Sequence, residues 1–314
     1  MSVSGTLQSP TPTSATPGPP LRVGLIAGQG QLPFLVAEGI QRAGFRVCGL
    51  GLAGQFDPDL PAQCDQFQSV GITQLGRWIR ILRRWEVSDA IMVGRVAHSR
   101  KHGRFLWLRY PPDLLALRLW YSTLRHDRRT ATMLTVLADA LGRRGVNLLD
   151  CRVYLGDQMA IDGVLTTRTP PTADVERDLA FGWPLLMLVA DHGIGQAIAV
   201  RGCDVLAVEA AEGTDALIDR AGPLARGRPW MLLKSSSATH DMRADVATIG
   251  VTTIERLHAA GGRTLVVGAD HVIMIDREAV IRRAEELNIC IIGVALNTAA
   301  PLPPRLAGLG AIQH

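Results

Sequence analysis

The sequence reads as an α/β protein of two units: an N-terminal Rossmann-like domain built on a parallel sheet, then a second, mixed α/β domain. Three observations carry this reading. Apolar runs of strand length alternate with stretches of helical spacing along most of the 314 residues. The first such run, Arg22 to Ala27, passes directly into the glycine turn Gly28-Gln29-Gly30 and then a helix, the opening of a βαβ unit. A polar stretch containing Gly156, Gly163, Pro170 and Pro171 then divides the pattern, marking residues 155–171 as a linker between domains at 21–154 and 172–298.

Taken in order, Phe34 to Ala43 has helical spacing and Phe45 to Leu50 is a second strand. Ile72, Leu75, Ile79 and Leu82 recur at helical intervals, with Trp78 and Trp85 beside them and Arg77, Arg80, Arg83 and Arg84 elsewhere on the surface. Val87 to Val93 is a strand, Thr130 to Arg143 a helix stopped by Gly145, and Val146 to Tyr154 extended. The second unit opens with a helix over Ala173 to Asp191, a turn at Gly193-Ile194-Gly195-Gln196, and a hairpin of Ala197 to Val200 with Val205 to Glu209. A helix from Thr214 to Ala221, a strand from Trp230 to Lys234 and a helix from Thr252 to Ala260 follow. Strands Thr264 to Val267 and Val272 to Ile275, a helix Arg277 to Leu287 and a strand Ile289 to Val294 complete it.

Composition narrows the functional classes. At 47% hydrophobic and 20% charged, the chain is globular, and no apolar run approaches the roughly 20 residues that span a bilayer. Residues 1–20 are rich in Ser, Thr, Pro and Gly without an apolar centre, a disordered leader rather than a signal peptide, and 299–314 read as a tail. Cys48, Cys64, Cys151, Cys203 and Cys290 are scattered and form no CxxC pair, which fits a reduced, cytoplasmic chain without a zinc site. The net charge of +4 is unevenly spread: between Arg77 and Arg129 stand 13 basic and four acidic residues, leaving the remainder acidic. That segment calls for an anionic partner. Within it, Arg100 to Arg129 carries Trp107, Tyr110, Trp120 and Tyr121, which suit an interfacial or acyl-chain-contacting helix, or else an ordinary helix whose arginine stems cover a core. The charge keeps a nucleic-acid-binding reading open, but the lack of a recognisable reader motif weakens it, and nucleic acid is not the expected partner.

Two constellations carry chemistry. The glycine turn can cradle a phosphate on backbone N–H groups and a helix N-terminus, although Pro33 stands where a dinucleotide fingerprint has its third glycine. The bland alternative is a tight connection. Further on, Asp241-Met242-Arg243-Ala244-Asp245 sets two carboxylates and a guanidinium at every second position, which an extended chain points to one side. Carboxylates suit Mg²⁺ and Arg a phosphate edge. A second acidic stretch, Ala207-Val208-Glu209-Ala210-Ala211-Glu212-Gly213-Thr214-Asp215, precedes it. His240 is a candidate general base or a surface residue; His98 and His102 are four apart but stand in too basic a stretch for a metal.

These motifs, with Val23-Gly24-Leu25-Ile26-Ala27-Gly28-Gln29-Gly30-Gln31-Leu32-Pro33, Ile194-Gly195-Gln196-Ala197, Thr248-Ile249-Gly250 and Ile275-Asp276-Arg277-Glu278, occur in an order that resembles the LpxI-type UDP-2,3-diacylglucosamine pyrophosphatases of lipid A biosynthesis. The resemblance runs from about Leu21 to Ala295. It implies a Mg²⁺-dependent hydrolase that releases UMP and 2,3-diacylglucosamine 1-phosphate (lipid X) from UDP-2,3-diacylglucosamine, a two-domain α/β fold and a homodimer. Matched residue by residue, it assigns Gly28, Gly30, Gln31 and Pro33 to a nucleotide-side loop, and Glu212, Gly213, Thr214 and Asp215 to substrate binding. Asp245 and Asp241, helped by Glu209, become the metal and catalytic acids, and Arg243 and Lys234 the cations that neutralise developing charge. The diacylated substrate implies a cytoplasmic enzyme in transient contact with the inner membrane surface. Three positions depart from the family pattern: Ser237 and Ala238 replace a Lys followed by Pro, His240 replaces a Gln, and Gly268 replaces a Glu, with Asp270 close by. Those departures keep a second reading open, a nucleotide or sugar-nucleotide binding protein without turnover.

Overall fold

A computed structural model of the chain describes residues 21–95, 111–126, 130–237 and 246–296. The expected leader, tail and Asp241–Asp245 segment, with His240, Ala238, His98, His102 and much of the basic stretch, lie outside them.

The first unit is a five-stranded parallel sheet in the order β3-β2-β1-β4-β5. Its strands are β1 (Arg22–Ala27), β2 (Arg46–Leu52), β3 (Gln66–Val70), β4 (Asp89–Val93) and β5 (Asn147–Leu149). Side chains alternate along β1 and so build two cores. Val23, Leu25 and Ala27 meet Val36, Ala37 and Ile40 of α1 (Leu32–Arg42). Ile26, on the other face, shares a core with Trp78, Ile79 and Leu82 of α2 (Leu75–Arg84) and with Ala138 and Leu141 of α4 (Thr130–Gly142). Between these helices lies α3 (Leu114–Leu119), which continues into one π-helical turn, Trp120–Leu124.

Three details differ from the sequence reading. Ile72 matches the helical spacing but precedes α2 and is exposed, while Trp78 enters the core and its indole N–H donates to the Gly71 carbonyl at 2.8 Å. Strand β3 went unread because Gln66, Gln68 and Ser69 break its apolar pattern. The extended run expected over Val146 to Tyr154 is extended only through Leu149. Asp150 then accepts the Arg152 N–H at 2.9 Å and caps a 3₁₀ turn, Cys151–Tyr154.

The second unit is a six-stranded mixed sheet in the order β6-β13-β11-β9-β7-β8. Three central strands run parallel: β9 (Trp230–Lys234), β11 (Gly262–Ala269) and β13 (Cys290–Ala295). Strand β7 (Ala197–Val200) pairs antiparallel with β9, and β8 (Val205–Val208) pairs antiparallel with β7. The polar stretch expected as a linker contributes β6 (Gly163–Val164), paired to β13. One face is covered by α5 (Ala173–Asp191), through Leu179 and Leu186. The other carries α6 (Thr214–Leu224), α7 (Val251–Ala259) and α8 (Arg277–Glu286), through Leu217, Ile254 and Val280.

A two-stranded parallel ribbon, β10 (Ala247–Ile249) with β12 (Val272–Met274), joins the units. Alternation on β12 gives each core its share: Val272 and Met274 pack into the second unit, Ile273 into the first. The Arg277 guanidinium donates to the Met159 carbonyl at 3.0 Å and Arg152 to the Asp270 carbonyl at 2.9 Å, so charged side chains tie the same junction.

Candidate functional site

In an open α/β sheet, ligands collect beyond the carboxyl ends of the parallel strands. Each unit has such an edge, and described sequence candidates stand at both.

At the first, the glycine turn leaves β1 and crosses the turn after β4. The Gly28 N–H donates to the Val93 carbonyl at 2.8 Å, and Gln29 and Arg95 exchange two backbone hydrogen bonds of 2.9 Å. A Cβ on Gly28 would lie 2.6 Å from the Arg95 carbonyl oxygen, so glycine is demanded there by its own chain. Gly30 is needed for a different reason: its φ is +104°, while a Cβ would meet open space. Gln31 stands at the N-cap of α1 without a side-chain cap bond, and Pro33 sits in the helix's first turn, where its missing N–H costs nothing. Two of the loop's amides are thus committed to β4 and its turn, and the phosphate-facing capacity of this edge rests on what lies beyond Gly30.

The second edge is built from side chains. Strand β9 ends at Lys234, beside Ala197 of β7, and the Glu209 N–H donates to the Ala197 carbonyl at 2.9 Å. The carboxylate of Glu209 therefore arrives next to the ammonium of Lys234. Gly195 makes the approach possible, since a Cβ there would sit 2.1 Å from the Glu209 carbonyl oxygen. The two charges do not pair directly. Lys234 Nζ donates to Thr214 Oγ1 at 2.5 Å, and Thr214 Oγ1 donates to Glu209 Oε1 at 2.9 Å. Thr214 is the first residue of α6, set by Gly213 at φ +86°, so the bridge stands at a helix N-terminus. Lys234 and Glu209 are only 5% and 8% exposed, and the other carboxylate oxygen, Glu209 Oε2, is buried without any hydrogen-bond partner. A buried acceptor left unpaired costs about 1–3 kcal/mol, so it is an open valence for a donor or a cation.

Beyond Lys234 come three buried serines, of which the sequence reading singled out only Ser237. The Ser235 N–H donates to the Gln196 carbonyl at 3.0 Å. Ser236 Oγ donates to the His271 carbonyl at 3.2 Å and lies 3.4 Å from His271 Nδ1. Ser237 donates to Asp191 at the end of α5. Their signal in the sequence is a run of hydroxyls directly after the Lys that ends an otherwise apolar strand. Burial, and after it the Arg152 cation, holds His271 below its ordinary pKa near 6.5, so the ring is neutral at pH 7. Gly268 has no room for a side chain, because its Cβ would lie 2.2 Å from Ser235 Oγ; the exposed Asp270 sits just beyond. The half-buried Cys64 and buried Cys151 offer no competing nucleophile: desolvation pushes both up to about 12.

The remaining acids of the motif face arginines. Glu212 pairs with Arg220 at 2.7 Å and Asp215 with Arg256 at 3.4 Å. Asp241, Arg243 and Asp245 lie outside the described residues. Their flanks are Ser237, on the second edge, and Val246, packed against the first unit's core. Among the described residues no three His, Cys, Asp or Glu side chains come together as a metal cluster, and the orphaned Glu209 Oε2 is the donor there that suits a hard cation. An open groove of about 780 Å³ between α6 and α7, lined by Asp219, Thr252 and Arg256 among others, includes none of the expected site residues.

Both halves of the chain have family relatives. The description "LpxI N-terminal domain" matches residues 22–158 and "LpxI C-terminal domain" residues 162–292. Over 286 residues the chain is 30% identical to the UDP-2,3-diacylglucosamine pyrophosphatase LpxI of Caulobacter vibrioides, an alignment covering 87% of this chain and 97% of that protein.

Proposed function

This chain belongs to the LpxI family, and on that premise we propose that it hydrolyses the pyrophosphate of UDP-2,3-diacylglucosamine to UMP and lipid X, a step of lipid A biosynthesis. Water adds to one phosphorus, the P–O–P bond breaks, and the other phosphate leaves with the bridging oxygen. Such chemistry asks mainly for positioning and charge neutralisation.

The observation that carries the reading is the Lys234–Thr214–Glu209 chain at the carboxyl edge of the second sheet. A lysine held at a helix N-terminus by a threonine hydroxyl presents fixed positive charge to an anion without waiting for a side chain to reorganise. Glu209 keeps the threonine hydroxyl turned so that its lone pair faces Lys234. Asp245 and Asp241 hold Mg²⁺ in this proposal, with Glu209 Oε2 as a further oxygen donor, and Arg243 is the second cation. When bound, the metal withdraws charge from the phosphate oxygens. A homodimer, and a cytoplasmic enzyme that meets its diacylated substrate at the inner membrane surface, complete the proposal; no described helix is long and apolar enough to cross a membrane. Nucleic acid has no part in it.

Binding without turnover is the second reading, favoured by Ser237, which gives its hydroxyl to Asp191 where the family pattern has a lysine. Incubation with UDP-2,3-diacylglucosamine and Mg²⁺, with and without chelator, separates the two by UMP release. The proposal expects release that the chelator abolishes. Tight UMP binding with no release supports the second reading, and undiminished release in excess chelator removes the metal.

A further inference from the structure

The segment from Leu114 to Arg125 is turned inside out. Leu115 and Leu119 pack on the first unit's core. The opposite stripe, which a soluble helix ordinarily makes polar, carries Leu114, Leu117 and Tyr121, 85%, 37% and 63% exposed, with Trp120 at 42%. Arg118 and Arg125 share this outer face and are exposed. The neighbouring α2 adds exposed Arg80, Arg83 and Arg84.

Of the described acids nearest this surface, Asp113 and Glu86 are engaged elsewhere. Asp113 accepts the backbone N–H groups of Gly76 at 2.6 Å and Ala116 at 2.9 Å, fixing α3 against α2. Glu86 pairs with Arg22 at 2.5 Å. The surface is therefore apolar, aromatic and cationic together. A second copy of the chain is a poor occupant. A twofold contact would set this surface against itself, arginine facing arginine with no described acid between them. An anionic bilayer complements every feature: Trp and Tyr settle at the headgroup level, leucines reach the acyl boundary, and arginine stems lie along apolar surface with their charges among phosphates.

We propose that the outer face of the Leu114–Arg125 segment, with the arginines of α2, is a docking surface for anionic lipid membranes. The proposal rests on the reading above that the substrate carries two acyl chains, and it names the face by which the protein reaches them. None of these residues belongs to the candidate site, so docking and chemistry are separable.

The test uses the full-length protein and vesicles of equal parts phosphatidylglycerol and phosphatidylcholine. Wild type is expected to sediment with them at low salt, to release at high salt, and to ignore vesicles of phosphatidylcholine alone. Two variants, Leu117→Asp with Tyr121→Asp and Arg118→Glu with Arg125→Glu, should each bind at least about fivefold more weakly while keeping the wild-type melting temperature within a few degrees. Both should hydrolyse detergent-dispersed substrate within about twofold of wild type and vesicle-borne substrate more slowly. Failure of wild type to bind anionic vesicles, equal binding by the variants, or conversion of a dimer to monomers by either variant in gel filtration would overturn the proposal. Sedimentation needs no substrate, so absence of hydrolysis in detergent would count against the functional reading and leave this one standing.

Discussion

The two sheet edges begin from the same topology and solve different problems. At the first, the chain closes its own crevice: Gly28 and Gln29 spend their N–H groups on Val93 and Arg95, and glycine serves backbone packing. At the second, strands converge to bring Lys234, Thr214 and Glu209 together under cover, leaving one carboxylate oxygen unsatisfied. A glycine motif and an acidic motif look equally functional as text. What separates them is where their polar groups are already spent, and by that measure the second edge is the one proposed for the chemistry.

The harshest way to break the comparison is Asp245→Asn. If the second edge is where Mg²⁺ and phosphate meet, turnover should fall by about a hundredfold or more while melting temperature holds. Full activity in the variant would remove the metal site from this segment.

The first edge predicts the opposite phenotype. Gly28→Val forces side-chain atoms into the Arg95 carbonyl and should cost about 1–3 kcal/mol of stability, read as a lowered urea midpoint. Gly30→Ala, which meets no neighbour but must hold φ +104°, should cost about 1 kcal/mol. A larger loss at Gly30 than at Gly28 would invert the account of this turn.

Thr214→Val tests the bridge itself. It keeps the size and removes the hydroxyl between Lys234 and Glu209, and should lower kcat about tenfold, with Thr214→Ser restoring most of it. Equal kcat in the valine and serine variants would reduce Thr214 to helix packing.

The smallest effect concerns pH. His271 has a lowered pKa in the folded state, so the unfolded chain takes up its proton first as pH falls. Its stabilising contribution is present above the ordinary value near 6.5 and is lost on acidification below it. Between about pH 7.5 and about pH 5.5, wild type should lose slightly more melting temperature than His271→Gln. Parallel losses would mean that the ring titrates as if free.

Much of the fold was legible because periodicity maps directly onto burial. The strands Arg22–Ala27 and Trp230–Lys234 and the helix Ala173–Asp191 stand where the apolar pattern sets them. Strand β3 and the pairing of Gly163–Val164 with β13 were not, since each is decided by partners far along the chain rather than by its own residues. The site was partly legible. Glu209, Thr214 and Lys234 carry motif signals, but that a hydroxyl joins them depends on β7 lying between β8 and β9. Ser235, Ser236 and His271 give no local signal of nearness, because 35 residues separate Ser236 from His271.

The central claim is that fixed charge at the second edge performs the phosphate chemistry, and Lys234→Met tests it most directly. The substitution retains the buried stem and deletes the ammonium that Thr214 holds. Steady-state UMP release from detergent-dispersed UDP-2,3-diacylglucosamine, on protein whose circular dichroism matches wild type, is the measurement. The account predicts a kcat lowered by about a hundredfold with KM changed far less. A folded Lys234→Met variant that turns over at the wild-type rate would contradict it.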